Sequence, residues 1–264
     1  MLRFSANLSL LFPDARRLAA RVLAARAAGY GAVEVQFPLA IAGLAEWRQA
    51  LDAAALPLAL INVDAGDLMS GGDGLAGVPG READFAAALA QCAQQVRVLR
   101  PACVNVLAGR QPAGVDRGRC LAVLRDNLAR AVDVLAPLGV QVTVEAINPW
   151  DMPRFLIDGF AAMQELVASV PGTAMQFDIY HMARLHRAGA GPTPADLMAA
   201  HGATFAHVQF ADVPGRGAPG TGALDFPALF AALERSGYRG WCGAEYLPSV
   251  SGETCITAWR PPGC

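Results

Sequence analysis

The stretch MQFDIYHMARL, residues 175–185, carries an apolar run that stops at Asp178, with His181 three positions on. A carboxylate in so apolar a run is costly unless it is surfacing or holds a partner. The same event recurs along the chain. Short β-type runs read as RFSANLSL (3–10), AVEVQF (32–37), LALINV (58–63), ACVNVL (102–107), VQVTVEAI (140–147), TAMQFDI (173–179), TFAHVQF (204–210) and WCGAEYL (241–247). At or near the C-terminal end of each stands a polar residue: Asn7, Glu34 or Gln36, Asn62, Asn105, Glu145, Asp178, Gln209 and Glu245.

Stretches of helical period separate these runs. Over 116–136, Leu121, Leu124, Leu128, Val132 and Leu135 keep one apolar face while Arg125, Asp126, Arg130 and Asp133 face away. Asp158 and Asp225 sit where N-caps belong, and Gly29 and Gly237 follow helical runs as stops. Eight strands alternating with helices in ~250 residues predict a single parallel (β/α)8 TIM barrel over 1–264. A doubly wound open sheet is the competing arrangement. The longest irregular segment, DAGDLMSGGDGLAGVPG (64–80), is expected to be a mobile active-site loop. Only SVSGETCITAWRPPGC follows the eighth strand, so the last helix should be short or poorly formed.

Composition narrows the function. The chain is 54% hydrophobic, enough for a sizeable core, and its formal charge is only −2, which offers no basic field for a nucleic acid backbone. All 21 basic residues are Arg, which excludes a Schiff-base lysine and the lysine of a P-loop. Cysteines 92, 103, 120, 242, 255 and 264 form no C-x-x-C pair, and scattered thiols without a signal peptide suggest a reducing cytoplasm. No apolar run approaches the ~20 residues of a membrane span.

In a barrel the strand ends converge on one mouth, where such enzymes place their chemistry. Glu145, Asp178, Gln209 and Glu245 come from strands five to eight, which are neighbours there. Three carboxylates and an amide oxygen packed together would repel one another unless a cation sat among them. The all-oxygen set favours Mg2+ or Mn2+ over zinc. Taken singly, His181 reads as a satisfied loop histidine and Arg216 as a solvated loop charge, and His186, His201 and Cys103 are left to packing or solvent. GRGAPG (215–220) matches G-x-G-x-x-G, yet Pro219 and the lack of a helix opening there argue against a nucleotide cofactor.

The motifs NLSLLF near the start, EAINPWDMPRFLI (145–157), QFDIYHM (176–182), HVQFADVPGRGAPGTGALDF (207–226) and GYRGWCGAEYLP (237–248) resemble the hydroxypyruvate isomerase family, within the wider xylose isomerase-like barrels that include ketose 3-epimerases and 2-oxo-tetronate isomerases. The resemblance spans nearly the whole chain, and 207–226 is its most specific block. It implies a metal-dependent aldose-ketose type isomerase whose two catalytic glutamates match Glu145 and Glu245. By similarity, Asp178 and Gln209 complete the metal set, while Asp151, His181 and Arg216 match substrate-contacting positions. Ala146 stands where relatives usually have Pro, and 67–76 lacks a Glu-Arg pair common there, which bears on substrate preference.

The reaction implied interconverts hydroxypyruvate and 2-hydroxy-3-oxopropanoate (tartronate semialdehyde) through a cis-enediolate, one glutamate removing the carbon proton and the other returning it. A 2-oxo-tetronate isomerase or ketose 3-epimerase would use the same site, and an inosose-dehydratase-like lyase the same barrel. An endonuclease IV-like phosphodiesterase is disfavoured by too few His for a zinc cluster and by the missing basic surface. A non-catalytic sugar-acid sensor would not need both glutamates. The expected partner is a small hydroxy-keto acid, with no nucleic acid and no membrane, and with assembly into a homo-oligomer left open.

Overall fold

Apolar runs bounded by turns become strands, and here they become β1 (Arg3–Asn7), β2 (Ala32–Glu34), β3 (Leu58–Asn62), β4 (Cys103–Asn105), β5 (Gln141–Glu145), β6 (Thr173–Asp178), β7 (Phe205–Phe210) and β8 (Trp241–Ala244). They form a closed barrel in sequence order, and the pairings of the described strands are parallel. The structure, a computed structural model, describes residues 1–37 and 43–260; Cys264 and the end of the C-terminal tail lie outside them. Eight α-helices occur among the described residues: α1 (Leu18–Ala27), α2 (Leu44–Ala54), α3 (Glu82–Leu99), α4 (Arg117–Leu135), α5 (Phe160–Ser169), α6 (Ile179–Arg187), α7 (Pro194–His201) and α8 (Phe226–Arg235). Both α6 and α7 lie between β6 and β7. This is the (β/α)8 TIM barrel expected from the sequence.

The strands stop earlier than their apolar runs because the chain turns where the polar residues stand. Asn7 is the last residue of β1, and its carbonyl accepts from the Leu10 and Leu11 amides at 3.2 and 2.8 Å. NLSLLF is therefore a turn leaving the mouth. Asp225 caps α8 by accepting from the Ala228 amide, and Asp116 caps α4 through the Arg119 amide. Asp158 does not cap α5. Extended Gly159 occupies the cap position without a side-chain bond, leaving Asp158 one residue early and paired instead with Arg117 at 3.4 Å.

The chain divides into two compact units, Met1–Ile61 with Phe177–Cys264, and Asn62–Gln176. In the first, β8 is followed by 3-10 turns at Ser251–Thr254 and Ile256–Ala258 rather than by a helix. Trp259 beyond them packs on Phe4 and Phe210, each at 5.2 Å between centroids, so an aromatic plug does the covering that a helix would. Gly29 ends the α1 turn at φ +92°, and a Cβ there would lie 2.7 Å from Ile256.

In the second unit, the 64–80 segment is packed down rather than standing loose. Leu68, Leu75, Ala76 and Val78 are buried, Asn127 of α4 donates to the Ala76 carbonyl at 2.9 Å, and the Arg110 guanidinium binds the carbonyls of Leu68 and Gly72. Gly77 serves close packing: a Cβ there would collide with Leu156 and the Ala108 carbonyl. Among the described residues no helix is long and apolar enough to cross a membrane.

Candidate active site

Alternation along a strand sends every second side chain to one face. In the first unit that rule collects Ser5 and Asn7 of β1, Glu34 of β2, Asp178 of β6, His207 and Gln209 of β7, and Gly243 of β8 with Glu245 just beyond it. All the side chains in this set are buried.

Glu245, 5% exposed, is held from three directions. Asn7 and Gln36 each donate to its Oε1 at 3.0 Å, and Arg216 Nη2 donates to its Oε2 at 2.6 Å. Burial pushes the Glu245 carboxyl above the ordinary carboxylate range; Arg216 opposes this, and the nearby charges of Asp178 and Glu34 add to it. Arg216 Nη2 also lies 3.8 Å from Asp178 Oδ2, and its guanidinium stacks 5.2 Å from the Tyr180 ring. The guanidinium thus reaches over two buried carboxylates.

Asp178 closes β6 and opens α6 in one residue. Its Oδ1 accepts from the Tyr180 and His181 amides at 2.7 and 3.4 Å, while Oδ2 lies 3.5 Å from His181 Nε2. His181 is therefore a buried residue of the first helical turn, not a loop histidine. The apolar run of 175–185 ends in a carboxylate because that carboxylate both caps a helix and faces the mouth.

Arg216 stands at φ +56°, a left-handed conformation costly for a residue with a Cβ. A buried anion holds its loop. Asp212, 0% exposed, accepts from the amides of Val213 and Leu224 through Oδ1 and of Gly220 and Gly222 through Oδ2, at 2.8–3.0 Å. Gly220 closes the G-x-G-x-x-G match, and its amide is turned to Asp212. Asp212→Ala should lower stability by about 3 kcal/mol, since several charge-assisted bonds go at once. Denaturant titration reads this, and a loss below about 0.5 kcal/mol would show that water replaces the carboxylate.

In the second unit, Glu145 closes β5, 6% exposed, with Oε2 accepting from Asn105 at 3.4 Å and Gln176 at 3.2 Å. Asp151 lies on the exposed loop after β5, where Asn148 donates to it at 3.0 Å. Of the sequence-derived site residues, the first unit thus brings Asp178, His181, Arg216 and Glu245 into contact and links Gln209 to them through Glu34 and Asn7. Glu145 and Asp151 belong to the second. Sequence reasoning gave no role to Glu34, His207 or Asp212. The available signal was acids and an imidazole on strand faces that are otherwise apolar.

Residues 22–255 match the family model described as xylose isomerase-like TIM barrel. The chain is 39% identical over 266 residues to a 2-oxo-tetronate isomerase of Cupriavidus necator, covering 99% of this chain and 98% of the other. It is 35% identical over 264 residues to a hydroxypyruvate isomerase of Escherichia coli, with 99% of each covered. A crystal structure from Brucella melitensis, described as an AP endonuclease of family 2, superposes with a TM-score of 0.91 at 32% identity over 99% of both chains.

Proposed function

The chain belongs to the xylose isomerase-like TIM barrel family and is an isomerase, and from that premise we propose that it interconverts hydroxypyruvate and 2-hydroxy-3-oxopropanoate with the help of a divalent cation. The 39% identical relative favours a second reading on the same site, in which the substrate is the four-carbon 2-oxo-tetronate. The observation that carries both is Glu245: a buried carboxyl with a raised proton affinity, fixed by three donors, beside a guanidinium that can take a substrate carboxylate.

The donor chemistry fits a cation. In the proposed site Glu145 and Asp178 offer carboxylate oxygens and His181 an imidazole nitrogen to one ion. Glu145, Asp178, Gln209 and Glu245 would hold the ion, with His181 as an added imidazole donor. Carboxylate and amide oxygens suit Mg2+ and Mn2+, and an imidazole tilts the choice towards Mn2+. Such an ion would stabilise the negative charge that develops on the substrate oxygens.

The protein's own groups do the rest. Arg216 binds the carboxylate with its planar fork, holding the carbons to be exchanged near Glu245. One of Glu245 and Glu145 removes the proton from carbon and the other returns a proton to its neighbour. Asp151 contacts the substrate, and His181 donates to it through the ring nitrogen that does not face the ion. We place this chemistry in a reducing cytoplasm, in keeping with the free thiols of the described cysteines, with a small hydroxy-keto acid as the partner rather than nucleic acid or membrane.

Arg216→Ala tests the reading. Charge pairing acts in ground and transition states alike, so KM for hydroxypyruvate should rise roughly 10- to 100-fold, and kcat should fall by a smaller factor because Glu245 loses one of its three donors. Uncharged ketoses such as fructose should be poor substrates throughout. A wild-type preference for an uncharged ketose, or equal losses on charged and uncharged substrates, would make this a sugar epimerase. Nicking of abasic-site DNA by the wild type would turn the reading to a phosphodiesterase.

A further inference from the structure

We infer that Glu34 is a positioning residue, fixing which end of the Gln209 side-chain amide faces the barrel mouth. Glu34 is 0% exposed and its carboxylate meets four donors. Ser5 Oγ at 2.8 Å and His207 Nε2 at 2.9 Å lie on Oε2; Gln209 Nε2 at 2.8 Å and Asn7 Nδ2 at 3.2 Å lie on Oε1. The barrel leaves room for this carboxylate by having no side chain at residue 243, where a Cβ would collide with it. Gly243 pairs in register with both Ser5 and Gln209, so the gap sits where the strands that hold the network meet.

A carboxylate can only accept, so the end of the Gln209 amide turned to Glu34 must be its nitrogen. The opposite orientation would bring two acceptor oxygens to 2.8 Å. Gln209 therefore directs its carbonyl away from Glu34, and a residue type that could face either way is given one polarity. Asn7 is set in the same manner. Its Nδ2 donates to both Glu34 Oε1 and Glu245 Oε1, while its Oδ1 accepts from the Ser9 amide at 3.0 Å. Through these two amides one buried anion governs how Gln209 and Glu245 are presented. Burial pushes the Glu34 carboxyl up, but the attraction and hydrogen bond of His207, with the bonds from Gln209 and Ser5, outweigh it and hold the carboxyl below its ordinary value.

The consequence for ion binding rests on the cation reading; the amide polarity does not. With glutamine selectively 15N-labelled, the Gln209 side-chain amide, assigned by its disappearance in Gln209→Met, should show one proton shifted downfield and exchanging slowly. Glu34→Met removes the acceptor, and Glu34→Asp keeps the charge while retracting it by one methylene, which guards against a Met variant that fails to fold. In both, that proton should move upfield and exchange at least about 10-fold faster; in Glu34→Gln, which retains an acceptor oxygen, it should stay. Mn2+ affinity, read from the free-ion resonance, should fall about 10-fold in Glu34→Met and in Gln209→Met. The double variant should lose less than the product of the two single losses, the remainder acting through Asn7 and Glu245. An unchanged Gln209 proton in Glu34→Asp and Glu34→Met, or losses that multiply in the double variant, would overturn the proposal. A protected proton in a wild type that binds no Mn2+ would support the positioning role and count against the cation reading alone.

Discussion

Glu145→Gln and Glu245→Gln are each expected to remain folded and to lose roughly 10²-fold or more in kcat, the scale of a missing general acid or base. Glu145 Oε2 accepts from Asn105 and Gln176, bonds that an amide oxygen can also accept. Glu245 accepts on both oxygens, from Asn7 and Gln36 on one and Arg216 on the other. A glutamine at 245 must turn its nitrogen towards donors on one side, so this variant should lose about 1–3 kcal/mol of stability as well. Thermal melts and steady-state rates measure both. If either variant turns over near the wild-type rate, that glutamate is structural and the proton transfer needs another base.

Stripping divalent ions is expected to cost roughly 10³-fold in rate, since a cation at developing oxyanions is worth several kcal/mol. The loss should be reversed by Mn2+ and Mg2+. The same titration carries a pH signature. In the cation-free protein the raised pKa of Glu245 means that its folded state holds the proton more tightly than the unfolded chain. Its contribution to stability is full below the ordinary glutamate range and is lost as pH rises through the raised value. A bound ion favours the carboxylate and reverses this, so the increase in melting temperature on adding Mn2+ should be larger at about pH 8 than at about pH 5. Full activity after exhaustive chelation, with no metal left by elemental analysis, would contradict the cation's role.

The barrel was legible because its signals are local. A run of four to eight apolar residues closed by one polar side chain depends only on strand period, and the polar strand ends read this way lie within one or two residues of the C-terminal ends of β1 to β8. Asp225 was legible as a cap for the same reason, whereas Asp158 lost the cap position to an extended glycine that sequence does not distinguish. The contacts that were not legible join distant parts of the chain. Glu34 and His207 are 173 residues apart and meet only once the barrel has closed, and Glu34 alone looks like a costly acid on a short strand. Asp212 gave no signal because its partners are backbone amides, which every residue of that loop but the prolines carries alike. The 64–80 segment looked loose from its glycines, but Gly77 admits Leu156, and the segment's anchors, Arg110 and Asn127, come from later in the chain.

At the centre of the proposed mechanism, Glu145 and Glu245 would exchange protons at carbon on a short 2-oxo acid with a cation present. Solvent exchange measures that step without reference to the final product. Hydroxypyruvate and 2-oxo-tetronate should each be incubated with the protein in D2O, with and without Mn2+, and followed by proton NMR. The mechanism predicts enzyme- and Mn2+-dependent deuterium incorporation at the carbon bonded to the carbonyl of at least one of them, lost in Glu145→Gln or in Glu245→Gln, whichever removes the base for that carbon. No incorporation above the enzyme-free rate for either acid, alongside incorporation into an uncharged ketose, would contradict it.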